Sequence, residues 1–532
     1  MFFASTSLDR KEGVATFPGL RRPLAHGRGS FKAFAFGVSI LAFAAPAVAQ
    51  IETPDDPSAV ADRVASEFER RERSADLQAR GAAAFESGDY VKARELFEEQ
   101  AEIDPGNFTV HFNLACVRAL QGDSDAAIEH VIDAIKTGFV DARQLRRDKS
   151  LASLQDDSRI KAMLDNWPRV IDSHHAANTE SAQRWIGEHA ERRTLDSLRI
   201  ECLSNHDATS TDAAVRELEL VTAFAQTIIP DIVGADALDP WVIVALPDQR
   251  RFLTWSISTF GPSARQNFSR IGGAYDHDAK RLVAMDLGAT LRHEFFHVLH
   301  WRDMSRRGVV TPIWIQEGLA SLVEDCEVRG GAVVPVPSWR TNIAKRLESN
   351  GRLPPIEELT ELSHERFSST RPLRQYALAR TFFLFLFDRG VLASWYQRTA
   401  AGDADDPSGL KALSELLGQT PEQIHADYRA WVRALPMVPE NSDDLDVTLG
   451  IRLETGVGQG PVILGFTIAD ARTESGLKLR DTITAINGQS TRDLQELIRV
   501  LGGTRVGQSI TIDYRRGKLA GQTTLTLRER RE

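Results

Sequence analysis

Residues 292–300 read "RHEFFHVLH", and no other stretch constrains the fold so tightly. His293 and His297 are four apart, so on an α-helix they lie one turn apart on the same face. Glu294 points off that line. In the order H-E-x-x-H, the two histidines bind zinc and the glutamate acts as general base. A chain of this length and composition produces that order by chance about two times in a hundred. The competing reading is an amphipathic helix that happens to carry histidines. A metal reading demands a helix with its histidine face turned inward and a third ligand elsewhere.

Glu317 is the candidate third ligand, with 19 residues between it and His297. It lies in "TPIWIQEGLASLVED" (311–325), whose apolar spacing predicts a second helix. A His2Glu set leaves one zinc position open, as catalysis requires. The ligand types favour one Zn2+ per chain over harder divalent ions. A fourth protein ligand would close the site, so His300, seven residues after His293, is expected to be a partly exposed helix residue. Glu324 falls seven after Glu317 on the same helix face. It is a candidate to accept the N–H of a ligand imidazole from behind, the other reading being a solvated or capping carboxylate.

The two segments "LRHEFFHVLH" and "PIWIQEGLASLVED" resemble the gluzincin metallopeptidases of the bacterial peptidase-MA-like type. The resemblance covers roughly residues 180–435. It implies zinc ligands His293, His297 and Glu317, with Glu294 as general base. It also implies an active-site tyrosine on a later helix. Tyr376, in "RQYALARTFFLFLFDRG" (374–390), is the candidate, against a reading as a buried aromatic. By analogy with such folds, the strand at 281–286 is expected to be a sheet edge that holds extended substrate by backbone pairing.

Upstream, residues 76–137 repeat with a period of 34: Gly88 matches Gly122, Asp89 matches Asp123, Ala93 matches Ala127 and Phe97 matches Val131. Each unit reads as helix, Gly-Asp turn, helix. This period resembles tetratricopeptide repeats, with 139–164 as a capping tail. The resemblance implies a protein partner at the repeats. Residues 170–238 read as mostly helical, "PWVIVAL" (240–246) as a strand, and "GGAYDHDAKRLVAMD" (272–286) as two strands around a turn containing His277.

Beyond "ALPMVPENSDD" (434–444), short strands alternate with turn signals, with a helix over 491–503. "SGLKLRDTITAINGQ" (475–489) resembles the corresponding stretch of bacterial PDZ domains, with Arg480 where those carry glycine. Such domains take a peptide C-terminus by strand addition, its carboxylate cradled by backbone N–H groups. The resemblance puts "TLGI" (448–451) at that loop, with Leu449, Gly450 and Ile451 as candidate peptide-binding residues.

At the N-terminus, basic residues precede the apolar run 33–49, which closes on Ala47-Val48-Ala49. That order predicts an export signal cleaved before Gln50, or a tether if uncleaved. The expected location is periplasmic or secreted. The net charge of −10, from 64 basic and 74 acidic residues, lacks the basic footprint of nucleic-acid binding. Cys116, Cys202 and Cys326 are too scattered for a disulfide framework.

The expected architecture is a multidomain α+β chain: signal at 1–49, linker and helix start at 50–75, helical repeats at 76–168, and a mostly helical zincin-like catalytic domain with a small β-sheet at 170–435. A linker at 436–446 and a β-rich PDZ-like domain at 447–530 complete it. The expected function is zinc-dependent hydrolysis of peptide bonds in protein or peptide substrates. The rival readings are an inactive peptidase-like scaffold between two binding modules and a zinc hydrolase of non-peptide amides or esters.

Overall fold

The computed structural model describes residues 57–233, 239–260, 272–276, 279–403, 405–456 and 460–530. The expected export segment at 1–49 and His277 lie outside them. The chain is a multidomain α+β protein. It divides into two compact units, residues 1–170 with 257–271, and residues 171–256 with 272–532. Among the described residues no helix is long and apolar enough to cross a membrane.

The first unit stacks helical hairpins: α1 (Pro57–Glu86), α2 (Tyr90–Ile103), α3 (Phe108–Leu120) and α4 (Ser124–Thr137). The sequence period reappears as a period of geometry. Gly88 and Gly122 both turn the chain at φ 82°, a backbone conformation open to glycine. Asp89 and Asp123 then cap the following helices by accepting from the amides of Lys92 and Ala126. Ala93, Phe97, Ala127 and Val131 are all buried. Past α4, Phe139 stacks on Phe112 with ring centroids 4.7 Å apart, and Trp167 Nε1 donates to the Val140 carbonyl at 3.1 Å. Within the expected linker and helix start at 50–75, α1 begins at Pro57. Proline at the first helical position, followed by alanine-rich sequence, starts a helix readily.

The second unit opens with a five-stranded sheet in the order β1-β2-β3-β5-β4. The strands are β1 (Glu191–Leu195), β2 (Ile200–Ser204), β3 (Trp241–Ala245), β4 (Gly273–Asp276) and β5 (Arg281–Ala284). β2, β3 and β5 run parallel, and β1 and β4 pair antiparallel at the two edges. Every residue of β2 and β3 is buried, as expected of central strands covered on both faces. One expectation is extended here and one is corrected. Residues 170–238 contain the β1–β2 hairpin between the helices Trp167–Ile186 and Ala208–Ile228; "ERRTL" shows no apolar alternation because it is an edge strand. The strand beginning at Arg281 is interior, and the edge is β4.

One apolar core joins this sheet to the helices Ala289–Arg307, Ile313–Leu322 and Pro372–Asp388. The last two approach so closely at Gly318 that a Cβ there would sit 2.3 Å from Phe383 Cδ2. The glycine of "QEGLA" is therefore a packing requirement. A small hairpin follows the second helix, β6 (Cys326–Arg329) with β7 (Ala332–Pro335). The three cysteines are buried and free.

The stretch 436–446 is fastened to the helix Trp339–Ser349: Val438 O accepts from Asn342 Nδ2 at 2.6 Å, Val438 N donates to Asn342 Oδ1 at 3.0 Å, and Glu440 pairs with Arg346 at 2.5 Å. It is a pinned connection more than a loose linker.

The C-terminal domain has its own core. β8 (Val447–Thr448) pairs with β15 (Arg528–Glu529). The main sheet runs β14-β13-β11-β10-β9, with β12 on β11. These are β9 (Ile451–Glu454), β10 (Val462–Phe466), β11 (Thr482–Ile486), β12 (Gln489–Ser490), β13 (Ser509–Arg516) and β14 (Leu519–Thr526). Helix Leu494–Leu501 falls inside the expected 491–503. Strand β14 and the short helix Ala469–Ser475 had no sequence signal strong enough to read.

Candidate metal centre

The helix Ala289–Arg307 carries its histidine face into the protein: His293 and His297 are both buried. The helix Ile313–Leu322 lies against it and brings Glu317, also buried, to the same point. His293 Nε2 and His297 Nε2 are 3.0 Å apart. Glu317 Oε2 is 3.2 Å from the first and 3.5 Å from the second. That carboxylate oxygen is buried without a hydrogen-bond partner. A buried orphan oxygen facing two imidazole nitrogens is costly unless something positive joins them. The donor set, two nitrogens and one carboxylate, suits zinc.

Glu324 stands behind His293, with Oε1 2.5 Å from Nδ1, the nitrogen that does not face Glu317. Arg340 contacts the other oxygen of Glu324 and also reaches Asp325 at 3.3 Å. Burial alone would raise the Glu324 carboxyl. The opposing charges of Arg340 and His293 outweigh burial and hold it at about 2. Glu317 behaves alike: burial works against ionisation, but His297 and His293 keep its carboxyl below the ordinary range. For His293, burial disfavours the cation, and Glu324 and Glu317 overcome that and raise it.

Glu294 is the exception among these carboxylates. Burial pushes its pKa up, helped by Glu317 and Glu324 and only partly offset by the two histidines. Its position is fixed by β4: a Cβ on Gly273 would lie 2.6 Å from Glu294 Cγ. The edge strand and the glutamate therefore touch through a glycine.

Two tyrosines feel the charges of this cluster. Tyr376, on the helix Pro372–Asp388, is partly buried with its ring 5.2 Å from Phe367. Tyr275, on β4, stacks on the His297 ring at 5.2 Å and 26°. Burial, then the charges of Glu317 and Glu294, raise both phenols, so each keeps its proton and can donate it. Tyr275 escaped the sequence reading because no spacing rule ties an edge-strand aromatic to a helix motif. His300 is corrected: it is fully buried, not partly exposed, 3.3 Å from Thr311 Oγ1 and beside the Tyr396 ring. The helix Ala289–Arg307 is covered on that side too, so its third histidine is core. Burial, with His297 nearby, lowers its pKa to about 3.

Arg292, the residue before His293, was also invisible in sequence. Its guanidinium donates to the carbonyls of Val323 (2.7 Å) and Glu324 (2.6 Å), closing the end of the Glu317 helix. It also reaches Glu217 at 3.3 Å and Glu496 at 3.6 Å. Arg492 contacts both of those carboxylates and donates to the Cys326 carbonyl at 2.8 Å. Glu496 and Arg492 belong to the C-terminal domain, so this buried ionic cluster joins that domain to the helix Ala289–Arg307. Arg499 with Glu327 extends the same contact.

In the C-terminal domain, the Leu449 side chain is core. Gly450 has φ 69°; its N–H donates to Thr448 Oγ1 at 3.0 Å, and its carbonyl accepts from Thr467 N at 2.8 Å. Ile451 begins β9, the edge strand of the sheet, which is where strand addition would occur.

Comparison with known proteins locates a PDZ domain at residues 447–527. A crystal structure of an aminopeptidase N family protein from Idiomarina loihiensis aligns over 64% of this chain and 67% of that one, at 13% identity and a TM-score of 0.26. No curated protein matches the chain. The C-terminal segment of this chain is a PDZ domain.

Proposed function

We propose that the chain is a zinc-dependent peptidase in which His293, His297 and Glu317 hold one ion and Glu294 is the general base. The observation that carries this reading is the spacing of His293 Nε2, His297 Nε2 and Glu317 Oε2 at 3.0, 3.2 and 3.5 Å. Atoms about 2.0–2.1 Å from a tetrahedral zinc lie roughly 3.3 Å from one another. The unpartnered Glu317 oxygen supports it as well.

When bound, the ion supplies Lewis acidity, polarising the scissile carbonyl and making water easier to deprotonate. Glu294 Oε takes the proton from the attacking water and returns it to the leaving amine nitrogen. Its raised pKa suits that second half. Tyr376 and Tyr275, both protonated, donate to the developing oxyanion in this reading. The β4 edge beside Glu294 orders an extended peptide by backbone pairing. Glu324 fixes the ring of His293 from behind. The 1–49 segment exports the chain, and the helical hairpins and PDZ domain bind protein segments.

The test is Glu294→Gln, assayed for bound zinc and for cleavage of an unstructured protein such as casein. The expected variant keeps zinc and loses activity by about 10²–10⁴-fold. A zinc-loaded variant with undiminished cleavage refutes the mechanism. A wild-type protein that binds zinc and cleaves nothing would favour a scaffold.

A further inference from the structure

A second group of ligand-type side chains lies in the repeat unit. His111 on α3 faces His130 on α4, ring centroids 6.2 Å apart and nearly stacked. Asp133 is one turn after His130 on the same helix face. One ring nitrogen from each histidine and one Asp133 oxygen lie within 4.8 Å of one another. All three residues are half-buried.

The hydrogen bonds specify which nitrogen of His111 is available. Its Nε2 lies 2.9 Å from the Pro105 carbonyl. A carbonyl only accepts, so Nε2 carries the proton and Nδ1 carries the lone pair. That Nδ1 is buried without a partner. An imidazole whose N–H is held by a backbone carbonyl while its other nitrogen is bare is the arrangement that orients metal-binding histidines. His130 Nδ1 is likewise buried without a partner. Unpartnered buried nitrogens on two facing histidines, in a group that also holds a carboxylate, need an explanation that packing does not supply.

We propose that His111, His130 and Asp133 form a second divalent-metal site, taking zinc or a neighbouring late first-row ion. Two imidazoles and one carboxylate favour these over magnesium or calcium, which want oxygen ligands. Three protein donors leave a position for water or for a donor from a bound partner. Lys136 Nζ holds Asp133 Oδ1 at 3.0 Å. That pair is exposed and contributes little, so the lysine swings away when the ion enters. The site rests on residues of the repeat unit alone and is independent of the peptidase reading.

The experiment is equilibrium dialysis of the full chain, stripped by chelator, against Zn2+ alone, read by elemental analysis. It compares wild type with His111→Ala/His130→Ala and with His293→Ala/His297→Ala. The expected result is two equivalents for wild type and one for each double variant. A milder Asp133→Asn variant, with circular dichroism to show it folded, should weaken the same equivalent. Zinc content unchanged in both the His111/His130 and Asp133 variants overturns the proposal. One equivalent lost only with His111 and His130 supports this site and sinks the one at His293; one lost only with His293 and His297 does the reverse.

Discussion

Glu324 Oε1 lies 2.5 Å from Nδ1 of His293, while Nε2 of the same ring faces Glu317 at 3.2 Å. The imidazole is thus gripped by carboxylates on its two nitrogens, one holding the ring from behind and one completing the proposed zinc site. Removing the negative charge of the rear partner loosens the ring and reduces its basicity. Glu324→Gln is expected to weaken zinc binding by about 10–100-fold. Competition with a chromophoric chelator measures this; unchanged affinity would make Glu324 a structural partner of Arg340 only.

Gly318 has no room for a methyl group, since Phe383 Cδ2 would be 2.3 Å away. Gly318→Ala must push the Glu317 helix off its neighbour. The expected loss is about 1–3 kcal/mol, read by chemical denaturation, together with weaker zinc binding because Glu317 is the adjacent residue. Trimming the ring by Phe383→Leu in the same chain should recover part of both.

Arg480 sits at φ 68° in an exposed turn of the PDZ domain, where the resembling domains carry glycine. A side chain in that conformation costs roughly 1–2 kcal/mol, part of which glycine returns through its greater freedom in the unfolded chain. Arg480→Gly is expected to stabilise the domain by about 1 kcal/mol, visible as a raised denaturation midpoint. A lowered midpoint would show that the arginine makes a compensating contact.

Asp493 caps the helix Leu494–Leu501 by accepting from Glu496 N at 2.8 Å. Burial, then the charge of Glu496, raises its carboxyl to about 6 from an ordinary 3.8. A raised carboxyl pKa means the folded chain holds the proton more tightly. Its contribution is therefore most favourable below pH 3.8 and is lost as pH climbs through 6. Asparagine caps equally well and has no charge to bury. Asp493→Asn should match wild type near pH 4 and exceed it at pH 8, by no more than about 3 kcal/mol. Equal stability at both pH values would mean that Arg292 and Arg492 already neutralise the carboxylate.

How much of this was legible in the sequence follows from how local each feature is. The helix Ala289–Arg307, the helical period of 34 and the C-terminal domain were readable because each is written in spacings of a few residues. Gly88 and Gly122 announced turns that both adopt φ 82°. The β1–β2 hairpin was not readable, because an edge strand of charged residues has no apolar alternation to detect.

The sequence by itself determined that His293 and His297 share a helix face and that Glu317 lies on a following helix, since helix geometry fixes side-chain direction within a turn or two. Only the tertiary structure decided what surrounds them. It set Glu324 behind His293, Tyr275 on His297, β4 against Glu294, and Arg492 and Glu496 of the PDZ domain beside Arg292. Those contacts join residues as far apart as Glu217 and Arg492. Chain separation of that order leaves no local trace, because the pairing is chosen by burial and charge after the elements have packed.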